Sequence, residues 1–113
     1  SKIVLDWAFR GKEPEKRLEV CLIFREEKDA LLQHFLKQKA QLEAEIKESL
    51  SFEYWGPKST IIRTARTFGT FDSIHDNSLK EWAVKTMIAF YDAFKPRLDV
   101  WFRKGRNSRT TAR

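Results

Sequence analysis

Hydrophobic and polar positions alternate over residues 2–10, with Ile3, Leu5, Trp7 and Phe9 on one side and Val4, Asp6, Ala8 and Arg10 on the other. A period of two predicts a strand with one buried face. Gly11, Pro14 and the charges around them mark a turn. Residues 17–25 alternate again, with Leu18, Val20, Leu22 and Phe24 on one side and Glu19, Cys21, Ile23 and Arg25 on the other. Both sides of this second strand are partly apolar, as suits a central position, and the two segments read as an antiparallel hairpin.

The period then changes. Over residues 26–49, Leu31, Leu32, Phe35, Leu36, Leu42 and Ile46 recur at helical spacing, with mixed charge opposite them and no Gly or Pro between. One uninterrupted amphipathic helix is expected. Residues 50–55 alternate Leu50, Phe52 and Tyr54 against Ser51, Glu53 and Trp55. Gly56-Pro57-Lys58 is a turn and residues 59–68 are rich in strand-forming types, so a second hairpin is expected. Residues 69–77 read as loop. Ser78 and Glu81 match a capping box. The helix after them places Leu79, Trp82, Ala83, Met87, Phe90 and Phe94 on one face. Pro96 is expected to kink this helix or end it near Phe94, with helical structure resuming to about residue 103.

The predicted order is ββαββα. This is an α+β domain: a four-stranded antiparallel sheet with two long helices on one face. On this pattern Trp7, Trp82 and Trp101 belong to the core, and Trp55 lies out of phase on the other sheet face. The 113 residues, 42% hydrophobic and with fifteen aromatics, suit one domain with its own core. The domain is placed at residues 1–102. Cys21 is the one cysteine, so no disulfide framework or cysteine-rich zinc site is available. No apolar run reaches membrane-spanning length and the first residues have no secretory pattern. The default compartment is the cytoplasm.

Charge is unevenly placed. Of the net +6, five positive charges lie in residues 103–113 (Arg103, Lys104, Arg106, Arg109 and Arg113), leaving +1 for the rest. That stretch reads as a basic, flexible tail. A second basic stretch, Trp55 to Thr70, carries Lys58, Arg63 and Arg66 and no acid. Arg63 and Arg66 are an odd number of residues apart, so on a regular strand they point to opposite faces.

In the second half, FEYW, GPKS and TIIR precede a polar loop and then EWAVKTMIAFYDAFKPRLDVW. Together with the LLQHFLKQKAQLEAEI run, these segments resemble the prokaryotic domain-of-unknown-function family 4268. The resembling positions are Phe52, Trp55, Lys58, Ser59, Ile62, Trp82, Met87, Phe90, Phe94, Lys95, Pro96 and Arg97, within about residues 17–102. Members of that family often accompany restriction-type nuclease domains. The resemblance therefore implies a setting in DNA metabolism or defence, and implies no chemistry for the domain itself.

Catalytic patterns are weak. A restriction-type metal site needs one acid on a strand and an acid-x-Lys pair on the next. Asp6 could be the first acid, but Glu19-Val20-Cys21 lacks the lysine, and Glu45-Ile46-Lys47 falls on a helix. His34 sits at the edge of an apolar stripe and reads as structural. Asp72, His75 and Asp76 share a polar loop of ordinary composition. Cys21 reads as an inert buried thiol. Gly11, Gly56, Gly69 and Gly105 are isolated, so no phosphate-cradling loop exists and no cofactor is expected.

Two functions remain. The first is a non-enzymatic accessory domain associated with nucleic acid, using Lys58, Arg63, Arg66, Arg97, Arg103, Lys104, Arg106 and Arg109, with Trp55 to stack on a base. The second is a protein-interaction or homodimerisation module that uses an open sheet face lined by Val4, Ala8, Cys21 and Ile23, or a sheet edge.

Overall fold

The computed structural model describes residues 3–12, 16–69 and 77–111, with Gly69 and residues 105–111 as backbone alone. The alternating segments form the expected strands. β1 (Ile3–Arg10) and β2 (Lys16–Phe24) pair antiparallel, with Trp7 opposite Val20. β3 (Ser51–Tyr54) and β4 (Thr60–Gly69) form a second antiparallel ribbon, with Phe52 opposite Ile62. The ribbons join through β2 and β4, where Leu22 faces Ile62, so the sheet order is β1-β2-β4-β3. The strand with apolar residues on both sides, β2, is central, and β1 and β3 are edges.

Side-chain alternation divides this sheet into two faces. Leu18, Val20, Leu22 and Phe24 of β2 share one face with Ile62 of β4, and all five are buried under the helices. Phe24, Phe35, Phe94 and Phe90 form a run of ring contacts from the sheet into the helices, at centroid separations of 6.3, 5.1 and 5.5 Å. Leu42, Ile46, Leu50, Leu79 and Trp82 complete this core.

The single helix expected over 26–49 is two helices, α1 (Lys28–Leu36) and α2 (Lys39–Ile46). The break is at Lys37 and Gln38, where Gln38 turns its N–H back to the Phe35 carbonyl at 2.9 Å. No Gly or Pro marks this break. Tertiary contacts meet there: the Arg97 Nε donates to Gln38 Oε1 at 2.7 Å, and the Gln38 amide also meets the His34 ring at 3.1 Å. Leu36, assigned to the apolar stripe, is exposed beside the break. α2 ends at Lys47, whose backbone is left-handed (φ 66°) and whose N–H bonds the Glu43 carbonyl. The Glu43 carboxylate then accepts from the Leu50 N–H at 2.8 Å and steers the chain into β3.

The last helix, α3, runs from Asn77 to Thr111 with Pro96 inside it. It begins one residue before the predicted cap and is not ended by the proline. Pro96 has no N–H for the Asp92 carbonyl. The Arg97 guanidinium donates to the next carbonyl, Ala93 O, at 2.7 Å. The helix also continues past residue 103, over the stretch read as a flexible tail. At 1.5 Å per residue, its 35 residues span about 52 Å, well beyond the sheet. Apolar packing ends at Trp101 and Phe102, and the basic residues after them lie on the projecting end.

Trp82 is buried as expected. Its Nε1 donates to Glu48 Oε1, and the Arg66 guanidinium lies over its ring at 5.1 Å. Trp101 is half-buried, its ring tilted against His34 at 4.7 Å and its Nε1 donating to Glu27 Oε2. Trp7 is different. It shares a stripe with Ile3 and Leu5 but is 50% exposed, because α3 covers only part of the edge strand.

Candidate functional site

Three surfaces hold the polar and aromatic residues of interest. The first is the sheet face away from the helices. Glu19 is 1% exposed there and accepts from three guanidinium groups: Arg10 Nε at 2.9 Å, Arg17 Nε at 2.9 Å and Arg63 Nη1 at 3.4 Å. Arg63 also donates to Glu53 at 2.7 Å, and Glu53 accepts from Ser51. Those two bonds, the serine's first, hold the Glu53 carboxyl below the usual range.

Trp55 lies across the same face. Arg10 and Arg63 sit over its ring at 4.6 and 5.1 Å. Its backbone is fixed by the Ser59 loop, through Trp55 N–H to Ser59 O at 2.8 Å and Ser59 Oγ to Trp55 O at 3.0 Å. Beneath this layer Cys21 and Ile61 are fully buried. Burial pushes the Cys21 thiol up to about 11, helped by the Asp6 and Glu19 carboxylates and only partly offset by Arg10 and Arg63. Of the four residues expected to line an open apolar face, Val4 is exposed and Ala8 and Ile23 are half-buried. Cys21 is buried, and Trp55 with its arginines spans the centre.

The second surface lies between α2 and the middle of α3. Arg97 makes a two-pronged ion pair with Glu45 and bonds Gln38 and the Ala93 carbonyl. The Arg97 hydrogen bonds keep the Glu45 carboxyl ionised to lower pH than usual. A shallow cleft beside it is lined by His34, Pro96, Trp101 and Lys104. Burial, then the charges of Lys37, Lys104 and Arg97, pushes the His34 pKa down and favours the neutral ring. The His34 ring packs between Phe35 and Trp101.

The nucleic-acid candidates do not converge. Arg63 and Trp55 meet on the outer face, Arg66 is on the helix face against Trp82, and Arg97 is held by Glu45. Lys58 is exposed in the β3–β4 turn, and Arg103 and Lys104 are exposed on α3. Arg106 and Arg109 lie on the helical backbone of α3, with side chains outside the described residues, and Asp72, His75 and Asp76 also lie outside them. Among the described residues no group of three or more His, Cys, Asp or Glu is placed to hold a metal, and no helix is long and apolar enough to cross a membrane.

The third surface was not anticipated. A groove of about 700 Å³ runs between β1 and the first half of α3, walled by Trp7, Phe9, Leu18, Leu79, Ala83, Met87 and Ile88. Its lining is almost wholly apolar, with Lys80 at one margin. Trp7 and Phe9 meet edge to face at 5.5 Å, and Phe9 rests on Phe68 at 5.8 Å. On α3, Val84, Ile88 and Tyr91 are 60%, 57% and 56% exposed, so the apolar strip continues from the groove over the outside of the helix. A signal for it exists in the sequence: positions 84, 88 and 91 repeat at helical spacing, on a stripe about 100° round the helix from Phe90 and Phe94. The first stripe already accounted for the core, and the second went unread. No family model, curated protein or solved structure matches the chain.

Proposed function

We propose that this domain is a protein-interaction module that binds through the apolar strip formed by β1 and α3. The observation that carries the reading is the contiguous exposure of Trp7, Phe9, Val84, Ile88 and Tyr91 around an apolar groove. Single exposed hydrophobes are ordinary, but a contiguous patch of them with a concave centre is the signature of a binding surface. Aromatic residues and Met are the types enriched at interface centres. Trp and Tyr supply the largest share of binding energy when a partner excludes water from them. Four of the arginines are already held within the molecule: Arg10, Arg17, Arg63 and Arg97, by Glu19, Glu45 and Glu53. The proposal is independent of the resemblance to domain family 4268.

The test is site-specific photo-cross-linking. A photoreactive residue in place of Ile88 should give a discrete adduct whose partner, a second copy included, is identified by mass spectrometry. The same residue in place of Lys58, on the far turn, should give none. Absence of an adduct at position 88 contradicts the reading.

A second reading, association with nucleic acid, is favoured by the course of α3. Arg103, Arg106 and Arg109 recur every third residue along one helical backbone that projects beyond the sheet. If these residues and Lys104 each neutralise a phosphate, the logarithm of duplex affinity should fall against the logarithm of salt concentration with a slope of about −4. Fluorescence anisotropy at low salt, with and without residues 103–113, tests it. Binding that survives their removal, or no binding at low salt, contradicts this reading.

A further inference from the structure

The groove and its helix ridge also carry a charge pattern that selects an occupant. Building on the interaction reading, we infer that the partner on this strip is a second copy of the chain, packed with its α3 antiparallel and crossing near Ile88. At 100° per residue, Glu81, Val84, Lys85, Ile88, Tyr91, Asp92 and Lys95 lie within about 120° of the α3 circumference, with Ile88 close to the middle. All seven are exposed.

The charges along this face read negative, positive, Ile88, negative, positive. Glu81 and Lys95 lie seven residues to either side of Ile88, and Lys85 and Asp92 lie three before and four after it. A two-fold axis at Ile88 therefore brings Glu81 of each copy to Lys95 of the other, and Lys85 of each to Asp92 of the other. Each pair occurs twice, as self-complementary interfaces require. A parallel arrangement would set each charge against itself, and like charges in register are disfavoured. The antiparallel order is thus specified by the surface itself.

The apolar residues fit the same arrangement. Val84 and Tyr91 lie towards the groove side of the ridge, and Lys85 and Asp92 towards the other. An axis perpendicular to the helices keeps the groove sides of both copies together. The Trp7 and Phe9 walls of the two molecules then flank one shared apolar seam, with the charged pairs closing the opposite flank. Lys95 already meets Asp99 at 2.7 Å within its own helix, but both side chains are about half exposed, so the lysine is free to shift towards an incoming carboxylate.

The test uses two single variants of the whole chain, Glu81→Lys and Lys95→Glu, alone and mixed, with association read by sedimentation equilibrium. The native chain is expected to reach twice the monomer mass. Each variant alone places two like-charge pairs in the dimer and should weaken it by about ten-fold. An equal mixture of the two should restore native affinity, because every cross-pair is again opposite in charge. Mixing cannot repair a change within one helix, so recovery isolates the contact between copies. A native chain that stays monomeric while position 88 cross-links to a different protein overturns self-association and leaves the interaction reading standing. A dimer indifferent to both variants and to their mixing overturns the antiparallel pairing.

Discussion

Glu19→Ala is expected to destabilise the domain by about 3 kcal/mol, because it removes the one carboxylate on which three guanidinium groups converge. Breaking a buried ion pair from one side typically costs about 3–5 kcal/mol, and the lower end applies where the orphaned partners can turn to water. Arg17 and Arg10 are the more exposed partners, whereas Arg63 is largely covered and remains tied to Glu53. The loss also frees the arginines that hold Trp55 over the sheet, and so uncovers Cys21. Urea unfolding followed by circular dichroism measures the first effect. Labelling of the Cys21 thiol measures the second. In the native protein the thiol is buried and protonated at neutral pH, so it should react slowly, and the substitution should speed it. Unchanged stability with unchanged labelling would show that the Glu19 cluster does not hold this face together.

Phe94→Ala is expected to have the larger effect, about 3–5 kcal/mol. Phe94 touches Phe35 edge-on at 5.1 Å and Phe90 at 5.5 Å, and it is almost fully buried between α3 and α1. Removing its ring leaves a cavity bounded by α1 and α3, neither of which can collapse without losing its place on the sheet. A domain of this size is stable by about 5–15 kcal/mol, so the variant should lose a large share of its stability. The same denaturation experiment reads it. A shift below 1 kcal/mol would mean that α3 is not docked as described.

The strands were legible because alternation is a local signal. β1 to β4 follow the sequence pattern to within a residue or two, and the parity of Arg63 and Arg66 places them on opposite faces as read. Trp55 was out of phase with Phe52 and Tyr54, and it does lie on the outer face. What remained hidden depends on contacts between distant residues. The break at Gln38 coincides with a bond to Arg97, 59 positions away in the chain. α3 runs on through Pro96 with core residues on both sides of it, Phe94 before and Leu98 and Trp101 after, which the proline by itself does not announce. The Glu19 cluster joins residues up to 44 positions apart, so a strand reading sees only a glutamate in an apolar segment.

The apolar strip was half legible. Trp7 and Phe9 obey the same alternation as the buried Leu18 and Val20 opposite them. Periodicity reports which side chains share a face, and burial depends on how far a helix extends over that face. Since β1 is an edge and α3 covers it only in part, two aromatics of a core-type stripe reach solvent. Val84, Ile88 and Tyr91 form a second helical stripe outside the core, and on the proposed reading its apolar character serves a partner and not the fold.

That separation between folding and binding is the central claim, and Ile88→Asp tests it most directly. The measurement pairs a denaturation midpoint with the cross-linking yield from a photoreactive residue at the neighbouring exposed position 84. Ile88 is exposed, so the substitution should change the unfolding stability of the monomer, read at a concentration well below that of self-association, by no more than about 0.5 kcal/mol while abolishing the adduct. If stability falls by several kcal/mol, or the adduct persists at native yield, then Ile88 serves the fold or nothing at all, and the strip is not a binding surface.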